Sequence, residues 1–126
     1  MVIQLRLLES YYNDLATRET ILSQALAENR AALSAISVLS EKEESEVAIP
    51  IGGGLFLPTN YKPEKKLLVR IGANIVMEKG KEEAAAFLSK RIEEIEKVLK
   101  EIAAQKEETA RRMEILRAEL EKISKQ

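Results

Sequence analysis

The residues of this chain that could do chemistry are almost all Lys, Arg, Asp and Glu. The 126 residues include 20 Lys and Arg, 21 Asp and Glu, and neither His nor Cys. The chain therefore lacks the usual acid–base group of neutral pH, the commonest metal ligand and any disulfide. Its carboxylates fall on helical surface positions, where no cleft would desolvate them. We expect no catalytic residue, no metal site and no enzyme activity.

A run of three glycines, Gly52-Gly53-Gly54, is the best candidate for a loop that cradles a phosphate group. A phosphate-binding loop of this kind continues with Lys and then Ser or Thr, and a helix follows it. Here Leu55-Phe56-Leu57 follows the glycines, and these residue types are typical of a strand. We interpret the glycines as a turn, and we expect no bound cofactor.

Composition excludes several other classes of function. The net charge is −1 and no segment forms a basic face, so nucleic acid is not an expected partner. No signal peptide and no long uncharged apolar run is apparent, which predicts a cytoplasmic protein with no membrane contact. Abundant Glu and Lys, with no Cys or Trp, is a composition typical of thermophiles.

Two long segments repeat apolar residues at alternating steps of three and four, which is the spacing of a coiled-coil seam. Residues 2–42 and 81–124 contain neither Pro nor Gly, so each segment predicts a continuous helix. The seam of the first helix is Leu5, Leu8, Tyr12, Leu15, Glu19, Leu22, Leu26, Asn29, Leu33, Ile36 and Ser40. The seam of the second helix is Ala85, Leu88, Ile92, Ile95, Leu99, Ile102, Lys106, Thr109, Met113, Leu116, Leu120 and Ile123.

The short segment between the helices predicts that they pair in antiparallel fashion, with Ser40 near Ala85. In that register Glu19 of the first seam falls in the same layer as Lys106 of the second. Two interpretations remain open at this stage. The residues form an ion pair that penalises slipped registers, or both side chains extend past the seam into solvent.

Residues 46–79 predict two β-hairpins. Apolar residues alternate over 47–57 around the three glycines and over 67–77 around Gly72-Ala73-Asn74. Two isolated hairpins cannot cover their own apolar side chains or pair their own edges. We therefore predict that hairpins from several chains combine into a shared β-barrel platform. The side chains predicted to mediate this oligomerisation are Ile49, Ile51, Leu55, Leu57, Leu67, Val69, Ile71, Ile75 and Met77.

These elements together predict a mainly α fold with a small β insert, in a single domain of residues 1–126. The N-terminal coiled-coil helix takes up 1–45, the two hairpins 46–79 and the C-terminal coiled-coil helix 80–126. The fold is a long antiparallel two-helix coiled coil joined by two β-hairpins that oligomerise.

The middle of the chain resembles the α-class subunit of prefoldin. The motifs that carry the resemblance are Ile49-Pro50-Ile51-Gly52-Gly53-Gly54-Leu55-Phe56 in the first hairpin, Val69-Arg70-Ile71-Gly72-Ala73-Asn74-Ile75-Val76-Met77-Glu78-Lys79 in the second, and Glu82-Glu83-Ala84-Ala85-Ala86-Phe87-Leu88-Ser89-Lys90-Arg91-Ile92 at the start of the second helix. Two hairpins favour the α class over the β class. The resemblance implies an archaeal, ATP-independent co-chaperone, a hexamer of two α-class and four β-class subunits. Such a hexamer holds unfolded client proteins between its coiled-coil tips and passes them to a group II chaperonin.

The start of the first helix and the end of the second predict where a client would bind. Residues 2–8 are more apolar than a two-stranded seam can bury, and helix ends open at low free-energy cost. The predicted client-binding side chains are Val2, Ile3, Leu5, Leu7, Leu8, Leu116, Leu120 and Ile123. Alternatively, these residues complete the helix packing or bind a partner helix. The alternative function is a structural coiled-coil spacer or a filament-forming subunit without client transfer.

Overall fold

A computed structural model of the chain describes residues 1–39 and 42–125, and the described part has the predicted order of helix, two hairpins and helix. Ser40, the last predicted seam position of the first helix, lies outside the described residues. The elements are α1 (Val2–Ser37), β1 (Ser45–Gly52), β2 (Leu55–Tyr61), β3 (Leu67–Gly72), β4 (Ile75–Lys79) and α2 (Lys81–Ser124).

The first of two compact units consists of Met1–Glu28 and Ile92–Gln126, so it contains the beginning of α1 and most of α2. Two ion pairs between the helices show that they run antiparallel here. Glu9 pairs with Arg117 at 3.3 Å, and Glu19, further along α1, pairs with the earlier Lys106 of α2 at 2.9 Å. This direction is the predicted one.

The seam positions predicted from the three- and four-residue spacing are among the covered positions of the two helices. Every predicted seam position of α1 within the described residues is buried or half-buried, and so is every one of α2 except Ile123. The most deeply covered side chains of the first unit are Leu15, Ile102, Thr109 and Met113. The one polar group among them is satisfied, because the Thr109 hydroxyl donates to the Gln105 carbonyl at 2.7 Å.

The second unit, Asn29–Arg91, contains the end of α1, both hairpins and the beginning of α2. Helix α1 ends at Ser37, earlier than the sequence pattern predicts. The Ser37 hydroxyl donates to the Ser34 carbonyl at 2.6 Å, and the Leu39 amide closes a tight turn on Ile36 at 3.1 Å. The Lys81 ammonium then donates to the Leu39 carbonyl. These bonds satisfy groups that a longer helix would have paired, so they favour termination here.

The two hairpins are separate two-stranded antiparallel sheets. In the β1–β2 hairpin, Ile49 pairs with Leu57 and Gly52 pairs with Leu55, with a bulge between Pro50 and Gly52. All three glycines of the first turn have φ between 60° and 108°, and Asn74 in the second turn has φ 64°. A side chain with a Cβ is strained in this left-handed region, and Asn tolerates it best among non-glycine residues. Both segments are therefore turns, as predicted.

Candidate functional site

The eight predicted client-binding residues, here called the tip cluster, all lie in the first unit, where α1 begins and α2 ends. Half of them are half-buried between the helices, namely Leu5, Leu8, Leu116 and Leu120. The other half are exposed, namely Val2, Ile3, Leu7 and Ile123. Ile3 and Leu7 are the most open, with 75% and 66% of their surface exposed. The tip cluster therefore combines side chains that hold the helices together with side chains that face solvent.

An open apolar groove of about 440 Å³ lies within this region, between the two helices. Its lining consists of Gln4, Leu7, Leu8, Arg112, Ile115 and Leu116. Of the predicted tip cluster, the groove brings together Leu7, Leu8 and Leu116. The other five predicted residues are not part of its lining.

Five exposed apolar side chains form a lateral stripe along one side of the first unit. They are Leu7, Tyr11, Ile21, Val98 and Ile115. Open grooves join four of them in pairs across the helices, because Leu7 shares one groove with Ile115 and Ile21 shares another with Val98. Four of the five were not predicted. The sequence contains a signal for all of them, since each directly precedes a seam residue and is rotated by one helical step to the same side of the pair.

The opposite side of the first unit is built from different residue types. The positions that directly follow seam residues include Ala16, Ala103 and Ala110, together with the Glu9–Arg117 ion pair at 3.3 Å. Small and charged side chains offer little apolar surface to bind a ligand. The exposed apolar residues of the lateral stripe thus lie on one side of the helix pair, and the Glu9–Arg117 ion pair lies on the other.

One polar layer interrupts the seam of the first unit. The Lys106 ammonium donates to the Glu19 carboxylate at 2.9 Å and lies 5.3 Å from the centre of the Tyr12 ring. The hydrogen bond to Glu19 raises the pKa of Lys106. Partial burial opposes the shift, and the charges of Glu19 and Tyr12 add to it. Of the two open interpretations, the structure has the ion pair.

This raised pKa predicts a pH dependence of stability. A lysine whose pKa is higher in the folded chain stabilises it fully below the unfolded value of about 10.4, and the contribution disappears as the pH rises through the folded value. Between pH 10 and the folded pKa, we expect the wild-type chain to lose more thermal stability than a Lys106→Met variant. The measurement is the midpoint of thermal unfolding by circular dichroism. Lys100→Met, at an exposed position of α2, is the control and should follow the wild type. Parallel decline in the wild type and Lys106→Met would contradict the prediction.

The β1–β2 hairpin exposes apolar side chains on both faces. Strand alternation and the ladder register put Val47, Ile49, Leu55 and Leu57 on one face, and Ala48, Pro50, Phe56 and Pro58 on the other. All of these except Val47 are exposed. Ile51, also a predicted oligomerisation residue, lies in the bulge and is exposed. Phe56 was not predicted, because the sequence interpretation followed one face of the alternation only.

The β3–β4 hairpin is partly covered by its own unit. Leu67 and Val69 are half-buried and line a groove with Ile36 of α1 and with Phe87 and Leu88 of α2. The other predicted residues of this hairpin, Ile71, Ile75 and Met77, are exposed. So are Leu68 and Val76, which the prediction missed. The two hairpins therefore differ in exposure, because two predicted residues of the second are half-buried in a groove with helical residues of the same unit.

Residues 1–39 and 42–125 contain neither a membrane-spanning helix nor a cluster of metal ligands. No helix there combines the length and the apolar character needed to cross a membrane. The same residues contain no group of three or more carboxylates able to hold a metal ion together.

Comparison with known proteins finds prefoldin subunits. The family model described as prefoldin subunit matches residues 8–126. The prefoldin subunit alpha of Nitrosopumilus maritimus is 35% identical over 120 residues, which cover 95% of this chain and 83% of the relative. The prefoldin subunit alpha of Thermofilum pendens is 38% identical over 84 residues, which cover 65% of each chain.

A similar fold occurs among solved structures. The filamentous PFD of Methanocaldococcus jannaschii, determined by cryo-electron microscopy, superposes with a TM-score of 0.76. The superposition covers 94% of this chain and 99% of the other, at 22% sequence identity. At that level of identity the likeness is one of fold.

Proposed function

This chain belongs to the prefoldin family, in its α class, and on that premise we propose that it is one subunit of an ATP-independent chaperone that holds unfolded proteins. The observation that carries the proposal is that exposed apolar side chains occur in both units of the chain. In the first unit they belong to the tip cluster and the lateral stripe, and in the second unit they belong to the two hairpins. Exposed apolar surface of this extent marks a binding site.

The hairpins are the proposed assembly surface. Ile49, Leu57 and Phe56 are exposed in a sheet of only two strands, which is too small to be stable without a covering partner. We assign that cover to other prefoldin subunits, in a hexamer of two chains of this class and four of the β class. The resulting β-barrel platform would leave the helix pairs free to bind clients.

The tip cluster is the proposed client surface. A non-native protein exposes apolar side chains of many kinds, so open side chains such as Ile3 and Leu7 bind it without sequence preference. Each contact is weak, and several subunits acting on one client supply avidity. No step requires a catalytic residue or a nucleotide. Release to a group II chaperonin in the cytoplasm completes the proposed cycle.

The Glu19–Lys106 ion pair is proposed to set the register of the helix pair. A partly buried pair adds little net stability, because desolvation offsets the attraction between the charges. A slip by one helical turn in either direction would instead separate the two charges and place Lys106 opposite a leucine of the α1 seam, Leu15 or Leu22. The pair thus keeps the tip cluster in one arrangement.

Serine at Val2, Ile3 and Leu7 is expected to weaken client binding. All three side chains are exposed, so their removal leaves the seam intact while it removes several kcal/mol of apolar burial against a client. We expect the apparent affinity of the assembled complex for a denatured client to fall at least about tenfold. The measurement is suppression of light scattering as the client aggregates.

A matched control is available in the second unit. Val38 is 79% exposed and lies outside the tip cluster, so Val38→Ser removes a comparable apolar side chain without touching the proposed client surface. This variant should suppress aggregation as the wild type does. If the triple variant suppressed aggregation as well as the wild type, the tip cluster would not be the client-binding surface.

Filament formation is the competing assembly. One solved structure with a similar fold is a filamentous PFD, and the hairpin surface proposed here would serve a filament as well as a hexamer. Electron microscopy of the purified complex distinguishes the two. Discrete particles with six helix pairs support the hexamer, whereas long fibres without client binding support the structural alternative.

A further inference from the structure

The lateral stripe follows a continuous channel on one side of the first unit, here called the lateral channel. The channel consists of three open grooves, with volumes of about 440, 310 and 420 Å³. Arg112 lines the first and second grooves, and Gln105 lines the second and third, so the grooves adjoin. Leu7 in the first groove and Ile21 in the third are fourteen residues apart on α1, which is about 21 Å along its axis. The channel therefore has the length of about four helical turns.

The two ends of the lateral channel are apolar and its centre is more polar. Leu7 and Ile115 are exposed at one end, and Ile21 and Val98 are exposed at the other. The second groove, between the ends, is lined by Tyr11 and mostly by polar and charged residues of α2. A ligand that fills the channel therefore has to present apolar groups at two places about 21 Å apart.

Acidic residues border the lateral channel on both helices. They are Asp14 and Glu28 of α1 and Glu94, Glu101 and Glu108 of α2, and all five are exposed. Asp14 precedes Ile21 by seven residues and Glu28 follows it by seven, which is nearly two helical turns, so both lie on its side of α1. The three acids of α2 are also spaced by seven residues, and two of them, Glu101 and Glu108, belong to the channel lining.

Most of this acidic border is not neutralised by the chain itself. Two arginines line the channel, Arg18 in the third groove and Arg112 in the first two. Glu108 pairs with Arg111 and Arg112 at 3.5 and 3.6 Å. The other four acids, and Arg18, form no ion pair with any of residues 1–39 and 42–125. The channel therefore has four unpaired carboxylates beside one unpaired guanidinium.

A helix is the form of polypeptide that suits this channel. The described residues of the first unit contain no strand, so an extended peptide would find no edge with which to pair its backbone groups. A helix satisfies those groups internally, and an amphipathic helix can lay its apolar face in a groove. Unfolded proteins form helical segments transiently, so a client can supply one.

We propose that the lateral channel binds client segments that form an amphipathic helix with Lys or Arg on both sides of its apolar face. The apolar face contacts Leu7 and Ile115 at one end of the channel and Ile21 and Val98 at the other. The cations then lie beside the acids of both borders, and this charge complementarity selects basic segments over acidic ones. The inference rests on the proposed chaperone function. It adds a class of client segment, in contrast to the tip cluster, which binds without sequence preference.

Two helical peptides of about 18 residues test this preference on the assembled complex. Both carry leucine at the same positions of one face, and the flanking positions are Lys in one peptide and Glu in the other. We expect the Lys peptide to bind at least about tenfold more tightly in fluorescence anisotropy, and the difference to shrink at high salt, which screens exposed charges. A scrambled Lys peptide has no apolar face and should bind more weakly. Equal affinity of the Lys and Glu peptides, or of the Lys peptide and its scrambled form, would overturn the proposal.

A pair of charge variants locates the binding on the channel. Glu94→Gln with Glu101→Gln removes two acids of the border. Glu107→Gln with Glu114→Gln is the matched control, because it removes the same charge at the same spacing from exposed positions on the opposite side of α2. We expect the first pair to reduce the preference for the Lys peptide about two- to tenfold, and the control to retain it. Equal reduction by both would mean that overall charge attracts the peptide, which contradicts the proposal.

The apolar end of the channel is tested by Ile21→Ser with Val98→Ser, at two positions outside the tip cluster. We expect the affinity for the Lys peptide to fall at least about tenfold. Val38→Ser removes an exposed apolar side chain of the second unit and should leave the affinity unchanged. Far-ultraviolet circular dichroism shows whether the helices are retained. Unchanged affinity in the folded Ile21 and Val98 variant would disprove binding in the channel.

The same samples separate this inference from the proposed function. A complex that suppresses client aggregation but binds the Lys and Glu peptides equally would refute the preference of the channel alone. A complex that binds the Lys peptide in the channel but holds no denatured client would refute the chaperone function alone.

Discussion

Replacement of both Ile49 and Leu57 by serine is expected to leave the chain unable to assemble. These residues oppose each other in the β1–β2 ladder, share one face, and are both exposed in the single chain. If partner subunits cover them, each side chain contributes roughly 1.5–3 kcal/mol of apolar burial. The double substitution then costs roughly 3–6 kcal/mol at each contact, which is at least about a hundredfold in the association constant.

The molar mass of the purified complex checks this expectation, with far-ultraviolet circular dichroism to show that the helices are retained. Serine at Glu46 and Asn60 is the matched control, because these residues also oppose each other in the same ladder and are exposed, but they are polar. The control should assemble normally. If the Ile49 and Leu57 variant had the mass of the wild-type complex, the apolar face of this hairpin would have no part in assembly.

The helices were the most predictable part of this fold. A seam residue can be identified from spacing alone, because the α-helical repeat forces residues three and four apart onto one side. The polar layer was predictable for the same reason, since Glu19 and Lys106 interrupt their seams at the same level. The register left open whether the two side chains pair or extend into solvent, and the structure has the ion pair at 2.9 Å. Among the seam residues that the structure describes, Ile123 in the last turn of α2 is the one that is exposed.

The hairpins were predictable as secondary-structure elements, but the apolar faces that they expose were predicted only in part. Alternation identifies one apolar face of a strand, and it assumes that the other face is solvated. Phe56, Leu68 and Val76 break that assumption, because they are apolar on the second face and exposed in the single chain. A sequence cannot show which face a partner covers when both are apolar.

Two other features depended on information that periodicity does not contain. The end of α1 at Ser37 is accompanied by side-chain and backbone hydrogen bonds within one turn, whereas the seam predicted from the sequence continues to Ser40. The lateral stripe arises because Tyr11, Ile21 and their counterparts flank the seam on a single side. The seam prediction considered only the seam positions of each helix. The lateral stripe was therefore missed, although each of its residues directly precedes a seam residue.

Leu15→Ala is expected to be the most destabilising single change in the first unit. Leu15 is 1% exposed and is the largest fully buried side chain among the described residues. Truncation of a buried leucine removes its transfer free energy and leaves a cavity, at a cost of about 2–5 kcal/mol. Because the helix pair shares one thin seam, neighbouring side chains can relax only partly into the space. The free energy of unfolding, from urea titration followed at 222 nm, measures the loss.

Leu7→Ala is the control for this prediction, because it truncates an exposed leucine and not a buried one. Leu7 is the same residue type on the same helix, but it is 66% exposed, so its truncation should change stability by no more than about 0.5 kcal/mol. In a client-binding assay the order of the two effects should be reversed. Leu7→Ala should weaken client binding, whereas Leu15→Ala should retain it under conditions in which the variant is still folded. Equal destabilisation by the two changes would mean that Leu7 is covered in the assembled protein. It would then belong to a subunit contact and not to the client surface.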